Sequence, residues 1–304
     1  MKSVLSIQSH VVHGFVGNKA AIFPLQTQGW DVDNINTVDY SNHTGYGSFS
    51  GSTLSPDELK SIFQQLINLD IHYDAIITGY IPNSQLIRII NDFIREYKLS
   101  HPHLIYLLDP VMGDNHYLYV DKSCVSEYQE ILNNKIVDII TPNQFELELL
   151  TNIKIESKFN LVKAINYLHD HYNISNVVIT SVVDVFEDDL IHCIASVKNQ
   201  EKKIEFRIPT IKSYFTGVGD LFSALTLDKY YKIQNKDGTE RLSIAINQVL
   251  TIMEKTLKLT SSMSNKDLVG KINDANMKYF ELKIIESRKF YDINESNFIE
   301  YNID

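Results

Sequence analysis

Short apolar runs that alternate with stretches of helical period limit what this chain can fold into more than any other feature. The runs cover residues 4–7, 75–77, 104–108, 136–140 and 177–179; amphipathic stretches over 55–69, 84–99 and 159–171 lie between them. Strands alternating with helices predict an α/β chain: a mainly parallel central sheet with helices packed on both faces, a three-layer α/β/α sandwich. One helix start is marked unusually well, because Ser55-Pro56-Asp57-Glu58 places a capping Ser, a Pro at the first position and a Glu three residues after the cap. Further strands are expected over 31–40, 190–197 and 203–208, the last two joined by a polar turn at 198–202. The acidic stretch 184–189 reads as a solvated turn, 241–259 as a helix, and the Asn/Lys-rich segment 261–278 as an exposed connector. No internal repeat or linker divides the 304 residues, so a single domain over 1–304 is expected.

The residues at the end of each run point to function. Ser9-His10, Thr78-Gly79-Tyr80, Asp109-Pro110, Thr141-Pro142-Asn143 and Thr180-Ser181 stand at the ends of the five runs. In an open α/β sheet ligands bind beyond the carboxyl ends of the strands, so these residues outline one pocket. Any one of them alone is equally a turn former. The net charge is -10, from Lys+Arg 28 against Asp+Glu 38, which argues against nucleic acid or an anionic membrane as the main partner. An anionic ligand would have to be held by backbone N–H groups, helix N-termini, a metal ion or a few local cations. Only Cys124 and Cys193 are present, without the spacing of a disulfide framework, and the first ten residues contain too short an apolar run for a signal sequence. No stretch approaches a membrane span, and a cytoplasmic protein is expected.

Four constellations carry chemistry. Thr216-Gly217-Val218-Gly219-Asp220 opens an apolar helix, leaving N–H groups free to hold a phosphate or developing negative charge. It lacks the residues of a Walker loop or a dinucleotide fingerprint. Asp220 in the first turn is either a dipole complement or a base. Asp109-Pro110-Val111-Met112-Gly113-Asp114 offers two carboxylates that would gather Mg²⁺ directly or through water, against the alternative of a surface turn. In Thr141-Pro142-Asn143-Gln144-Phe145-Glu146, Thr141 is expected to cap a helix, Pro142 to open it and Glu146 to face back toward the strand edge as a metal or water ligand, or as an ordinary first-turn acid. The loop Ser41-Asn42-His43-Thr44-Gly45-Tyr46-Gly47 suits a small polar ring but reads equally as a polar loop. His10, His13 and His43 lack metal spacing and are expected to pack or hydrogen-bond.

Taken together with Gly14-Phe15-Val16-Gly17-Asn18-Lys19-Ala20-Ala21, these blocks closely resemble pyridoxal kinase, within the ribokinase-like superfamily, from residue 3 to about residue 260. The resemblance implies a ribokinase-like kinase domain, usually a homodimer, that transfers the γ-phosphate of ATP to the 5′-hydroxymethyl group of pyridoxal, pyridoxine or pyridoxamine. By matching motif it implies Asp220 as the catalytic base, Ser9 and Thr44 as hydrogen-bonding partners of the pyridine ring, and Val16, Tyr40 and Tyr80 as its walls. It assigns Asp109, Asn143, Glu146, Thr180 and Ser181 to the nucleotide and Mg²⁺ side, with the Gly217, Val218 and Gly219 amides on the phosphates. Asp114 and Thr141 match positions for a monovalent cation, K⁺ or Na⁺, and Ile211, Lys212 and Ser213 a segment beside the adenine.

Three departures accompany the match. Val218 stands where the family usually has Thr, with Thr216 nearby as a substitute hydroxyl; the covering segment 115–119 is shorter than in animal relatives; and His13 replaces a residue that is commonly Arg. The competing expectations are hydroxymethylpyrimidine kinase, which carries Cys at the position of Asp220, and a weakly catalytic vitamer-binding regulatory protein.

Overall fold

The computed structural model describes residues 2–183, 185–211, 213–264 and 276–303. In chain order β1 (Lys2–Val11), α1 (Asn18–Thr27), β2 (Trp30–Tyr40), β3 (Gly51–Thr53) and α2 (Pro56–Asn68) come first. They are followed by β4 (Ala75–Thr78), α3 (Ser84–Ser100), β5 (Ile105–Leu108), a hairpin of β6 (Gly113–Asp114) and β7 (Tyr117–Leu118), and α4 (Ser123–Asn133). Next come β8 (Ile139–Ile140), α5 (Gln144–Thr151), α6 (Lys158–Asp170) and β9 (Asn176–Val182). The remainder is β10 (Leu190–Val197), β11 (Lys203–Pro209), α7 (Val218–Lys232), α8 (Gly238–Met263) and β12 (Glu300–Asn302).

The main sheet has the order β12-β11-β10-β9-β8-β5-β4-β1-β2-β3. From β2 to β9 every neighbouring pair is parallel. The antiparallel strands β3 on one side and β10, β11 and β12 on the other close the two edges. Successive residues of the parallel strands pack to opposite faces, as the pleat requires. Ile76, Tyr106, Leu108 and Ile140 join a core with Leu59, Phe63, Ile90, Ile131, Leu147 and Leu161 of α2 to α6. Ala75, Ile77, Leu107 and Ile139 face the other way onto Ala21 and Leu25 of α1 and Ala224 and Leu227 of α7. Beneath β9 to β11 the second core is completed by Leu221, Ile246 and Val249 of α7 and α8. The expected three layers are present. So is the capping box at the start of α2, where Ser55 Oγ accepts the Glu58 N–H at 3.2 Å and Glu58 accepts the Ser55 N–H at 2.9 Å.

Two expectations need correction. Of residues 136–140 only Ile139–Ile140 enter the sheet: Lys135 turns through a left-handed backbone (φ 55°), and Asp138 uses its carboxylate to accept the Tyr106 N–H at 2.7 Å, delaying regular pairing. The first strand runs past Ser9 to Val11, but its register against β2 shifts between Gln8↔Asn36 and His10↔Asp39. The extra residue is on β2, where Thr37 and Val38 oppose Ser9 alone, and such a bulge re-aims side chains at a strand end. Of the acidic stretch, Asp184 lies outside the described residues, as do 265–275 of the expected connector and Lys212.

From β1 the chain passes through α1 to β2 on one side and returns through α2 to β4 on the other. This reversal places the crevice of the sheet at the carboxyl ends of β1 and β4.

Candidate active site

Two glycine turns meet at that crevice. Gly217 precedes α7 in the left-handed conformation (φ 78°), and no side chain caps the helix, so its first N–H groups remain available. Its missing side chain is a packing requirement: a Cβ would stand 2.0 Å from the Phe15 carbonyl oxygen. Gly17 precedes α1 with φ 54°, where a Cβ would stand 2.2 Å from the Ser9 carbonyl oxygen. The Gly17 amide lies close to the Asp220 carboxylate and favours its ionised form. Ser9, Gly17 and Asp220 are thereby brought into one chain of contacts, with the strand end on one side and the first turn of α7 on the other.

The carboxylates continue from this point. A Cβ on Gly219 would lie 3.6 Å from Asp109 Oδ2. That oxygen accepts the Ser223 hydroxyl at 3.0 Å, and Ser223 Oγ is 2.9 Å from Thr141 Oγ1. Glu146 accepts the Met112 N–H at 3.0 Å and the Asn143 N–H at 2.9 Å, while Asn143 Nδ2 donates to the Gly113 carbonyl at 2.8 Å. Asp109 is held well above the ordinary carboxylate range by burial first, then by the nearby Glu146 and Asp220 charges. Burial also raises Glu146 against the pull of its three amide donors, and raises Asp220 against the Gly17 amide. Buried like charges raise one another's pKa values, and a cation would relieve them.

Thr141 does not cap α5. Asn143 does, accepting the Glu146 N–H at 2.9 Å in a reciprocal capping box, with Pro142 ahead of the cap and outside the helix. Asn competes well for this position, and the Thr141 hydroxyl is drawn instead to Ser223. Nor is Thr216 a substitute for the hydroxyl missing at Val218: it is buried and donates to Glu281 Oε2 at 3.3 Å.

On the other side of Asp220, Val16 is buried, Tyr40 ends β2, and Tyr80 follows β4 with its phenol pushed up to about 12 by burial. Thr44 opens a short 3₁₀ turn, Thr44–Tyr46, capped by His43 Nδ1, which accepts the Gly45 N–H at 3.1 Å. The segment 115–119 begins as a two-residue hairpin turn, Asn115 (φ 48°) and His116 (φ 62°), with Asp114 accepting the Asn115 N–H at 2.8 Å. The Tyr119 phenol of this hairpin is raised by burial and then by Tyr214, and that of Tyr214 by burial and then by Asp114. Ile211 and Ser213 precede Tyr214, and among the described residues no hydrogen bond joins those two to the carboxylates. Thr180 is held on β9 by its N–H to the Pro142 carbonyl at 3.0 Å, with Ser181 beside it. Three contributors escape a linear reading. Ser223 is visible in the sequence only as a hydroxyl one turn beyond Asp220, the Gly17 amide has no side-chain signal, and Glu281 lies in a stretch without a distinctive motif.

Among the described residues no group of three or more His, Cys, Asp and Glu side chains is gathered to hold a metal by itself. No described helix is long and apolar enough to cross a membrane.

Comparison with known proteins agrees with this fold. A family model described as phosphomethylpyrimidine kinase matches residues 34–263. A Saccharomyces cerevisiae protein provisionally described as a pyridoxal kinase is 43% identical over 311 residues, covering 98% of this chain and 99% of its own. The pyridoxal kinase of Dictyostelium discoideum is 37% identical over 305 residues, 97% of each chain. The structure of pyridoxal kinase from Leishmania donovani in complex with ADP and pyridoxamine superposes with a TM-score of 0.88 at 29% identity, over 100% of both chains.

Proposed function

This chain belongs to the pyridoxal kinase family, and from that premise we propose how its residues carry out ATP-dependent phosphorylation of the vitamer hydroxymethyl group. The observation that carries the proposal is Asp220: half-buried in the first turn of α7, beside the Gly17 amide, and next to both the free amides of the 217–219 turn and the end of β1. Ser9 and Thr44 hydrogen-bond the pyridine ring between Val16, Tyr40 and Tyr80, which directs the 5′-hydroxyl toward Asp220. Asp220 accepts that proton as the new oxygen–phosphorus bond forms and the bond from the γ-phosphorus to the bridging oxygen of ADP breaks. Phosphoryl transfer asks for alignment and charge neutralisation more than for covalent chemistry, and a carboxylate is a weak base against an alcohol. Its main contribution is orientation, with the proton taken late.

The amides of Gly217, Val218 and Gly219 receive the transferring phosphoryl group without adding positive side chains, consistent with a chain of charge -10. Asp109 and Glu146, assisted by Asn143, face the phosphates; their raised, mutually repelling carboxyls fit a divalent cation completed by phosphate oxygens and water. Mg²⁺ supplies neutralisation of the phosphate charge when bound. Asp114 and Thr141 are assigned to K⁺ or Na⁺, Thr180 and Ser181 to the nucleotide, and Ile211, Lys212 and Ser213 to the adenine side. The whole chain acts as one kinase unit in the cytoplasm, as a homodimer; both cysteines are unpaired and buried, as a reducing compartment allows.

The test is formation of pyridoxal 5′-phosphate from pyridoxal and ATP with Mg²⁺ and K⁺, with hydroxymethylpyrimidine as a parallel substrate. Turnover on pyridoxal is the expected result; turnover on the pyrimidine alone, or none, would overturn it. Val218→Thr adds a hydroxyl that Thr216 does not supply. It should raise kcat/KM for ATP by no more than about fivefold, the equivalent of one hydrogen bond of about 1 kcal/mol. Steady-state kinetics at varied ATP would measure it.

A further inference from the structure

We propose that Glu281 is a positioning residue for the transfer, holding the loop before α1 and the turn before α7 at a fixed separation around Asp220. This rests on the kinase reading above and adds a residue to it from the far end of the chain.

Glu281 is 6% exposed, and one of its oxygens serves both turns. Oε2 accepts the Phe15 N–H at 2.7 Å and the Thr216 hydroxyl at 3.3 Å, and the Thr216 and Glu281 backbones also pair as a parallel bridge. Phe15 lies two residues before Gly17, whose amide lies beside Asp220; Thr216 immediately precedes Gly217, which packs against the Phe15 carbonyl. These contacts tie together the two turns that flank Asp220, and Glu281 supplies the side-chain tie from outside both turns. Its other oxygen, Oε1, is buried without a hydrogen-bond partner and stands 2.3 Å from where a Gly14 Cβ would be. A buried carboxylate left half satisfied lowers stability. Burial raises its pKa to about 7 despite Lys283 and Lys19. The carboxylate stays in this place because it ties two turns at once, through the Phe15 amide and the Thr216 hydroxyl. The same segment reaches the vitamer side, since Met277 Sδ lies 3.2 Å from where a Gly45 Cβ would stand.

The experiment compares wild type, Glu281→Ala, Glu281→Gln and Thr216→Val in pyridoxal turnover, with pyridoxal and ADP binding followed by calorimetry. A displaced turn is read in kcat, because misplacement by about 1 Å costs on the order of 100-fold while ground-state binding survives. Glu281→Ala should lose at least about 30-fold in kcat, with one pyridoxal bound per chain and Kd within about threefold. Glu281→Gln keeps an acceptor for Phe15 and should recover most of that loss; Thr216→Val cuts one tie and should lose less. An Ala variant within about threefold of wild type, a Gln variant as impaired as Ala, or a Kd that weakens in step with kcat would overturn the proposal. If Glu281→Ala does not fold, Thr216→Val with unchanged kcat overturns it. Absence of turnover in the wild type defeats the kinase reading instead, which keeps the two failures separate.

Discussion

Asp220→Ala should lose at least about 1,000-fold in kcat with pyridoxal and ATP, while pyridoxal binds with Kd within about threefold, less than 1 kcal/mol. The loss follows from position. Asp220 is the acid whose backbone contact comes from the vitamer-side loop, through the Gly17 amide, while it sits in the helix turn whose free amides face the phosphates. Removing it takes away both the acceptor for the hydroxyl proton and the group that orients the oxygen, and leaves Ser9, Val16 and Tyr80 in place. A protein that only binds the vitamer would show no turnover to lose, so the same variant separates enzyme from regulator.

The pH dependence has a definite sign. Burial raises Asp220, so protonated and inactive carboxyl persists at pH values above the ordinary Asp value of 3.8. The acid limb of kcat/KM should therefore lie above that value. Because Asp109 and Glu146 are raised as well, the limb belongs to the set rather than to one residue. Measured at saturating Mg²⁺, the limb should move to lower pH than at limiting Mg²⁺, since a cation favours the ionised carboxylates.

How much of this was legible in the sequence depends on the range of the interaction. The strand runs at 75–77 and 177–179 and the Ser55 capping box are local signals, and each became the expected element. Clustering of the strand-end residues followed from topology, because parallel strands deliver their carboxyl ends to one edge. Competition between neighbours was not legible. Asn143 takes the cap that Thr141 was expected to fill, and Thr216 spends its hydroxyl on Glu281, 65 residues away in sequence. Residues 136–138 were apolar enough for a strand, yet the Lys135 backbone and the Asp138 carboxylate kept them out of the ladder. A contact such as Phe15 to Glu281 has no local pattern, so no period or motif announces it.

Gly217→Ala should lower kcat/KM for ATP by about 100-fold or more, the scale of a misplacement of about 1 Å. Two costs combine. At φ 78° an L side chain is disfavoured by roughly 1–2 kcal/mol, and the new Cβ would meet the Phe15 carbonyl at 2.0 Å, which is backbone and cannot swing away. Relief requires either the 216–219 turn or the loop carrying Gly17 to move, and both hold Asp220. Thermal unfolding should show a lowered midpoint, because Ala at a strained positive φ is destabilising. Gly219→Ala is the matched control. Its Cβ would stand 3.6 Å from Asp109 Oδ2, an ordinary contact on helical backbone, so the folded protein should keep its unfolding midpoint. If the phosphates occupy the space above Gly219, that variant should nonetheless weaken ATP, raising KM for the nucleotide with the vitamer KM little changed. A loss of midpoint at 217 but not at 219, with ATP use impaired at both, would separate the turn that shapes the site from the surface that meets the ligand. Equal and minor effects at both positions would mean that the 217–219 turn does not hold phosphate, and the amide-cradle role assigned to α7 would fall.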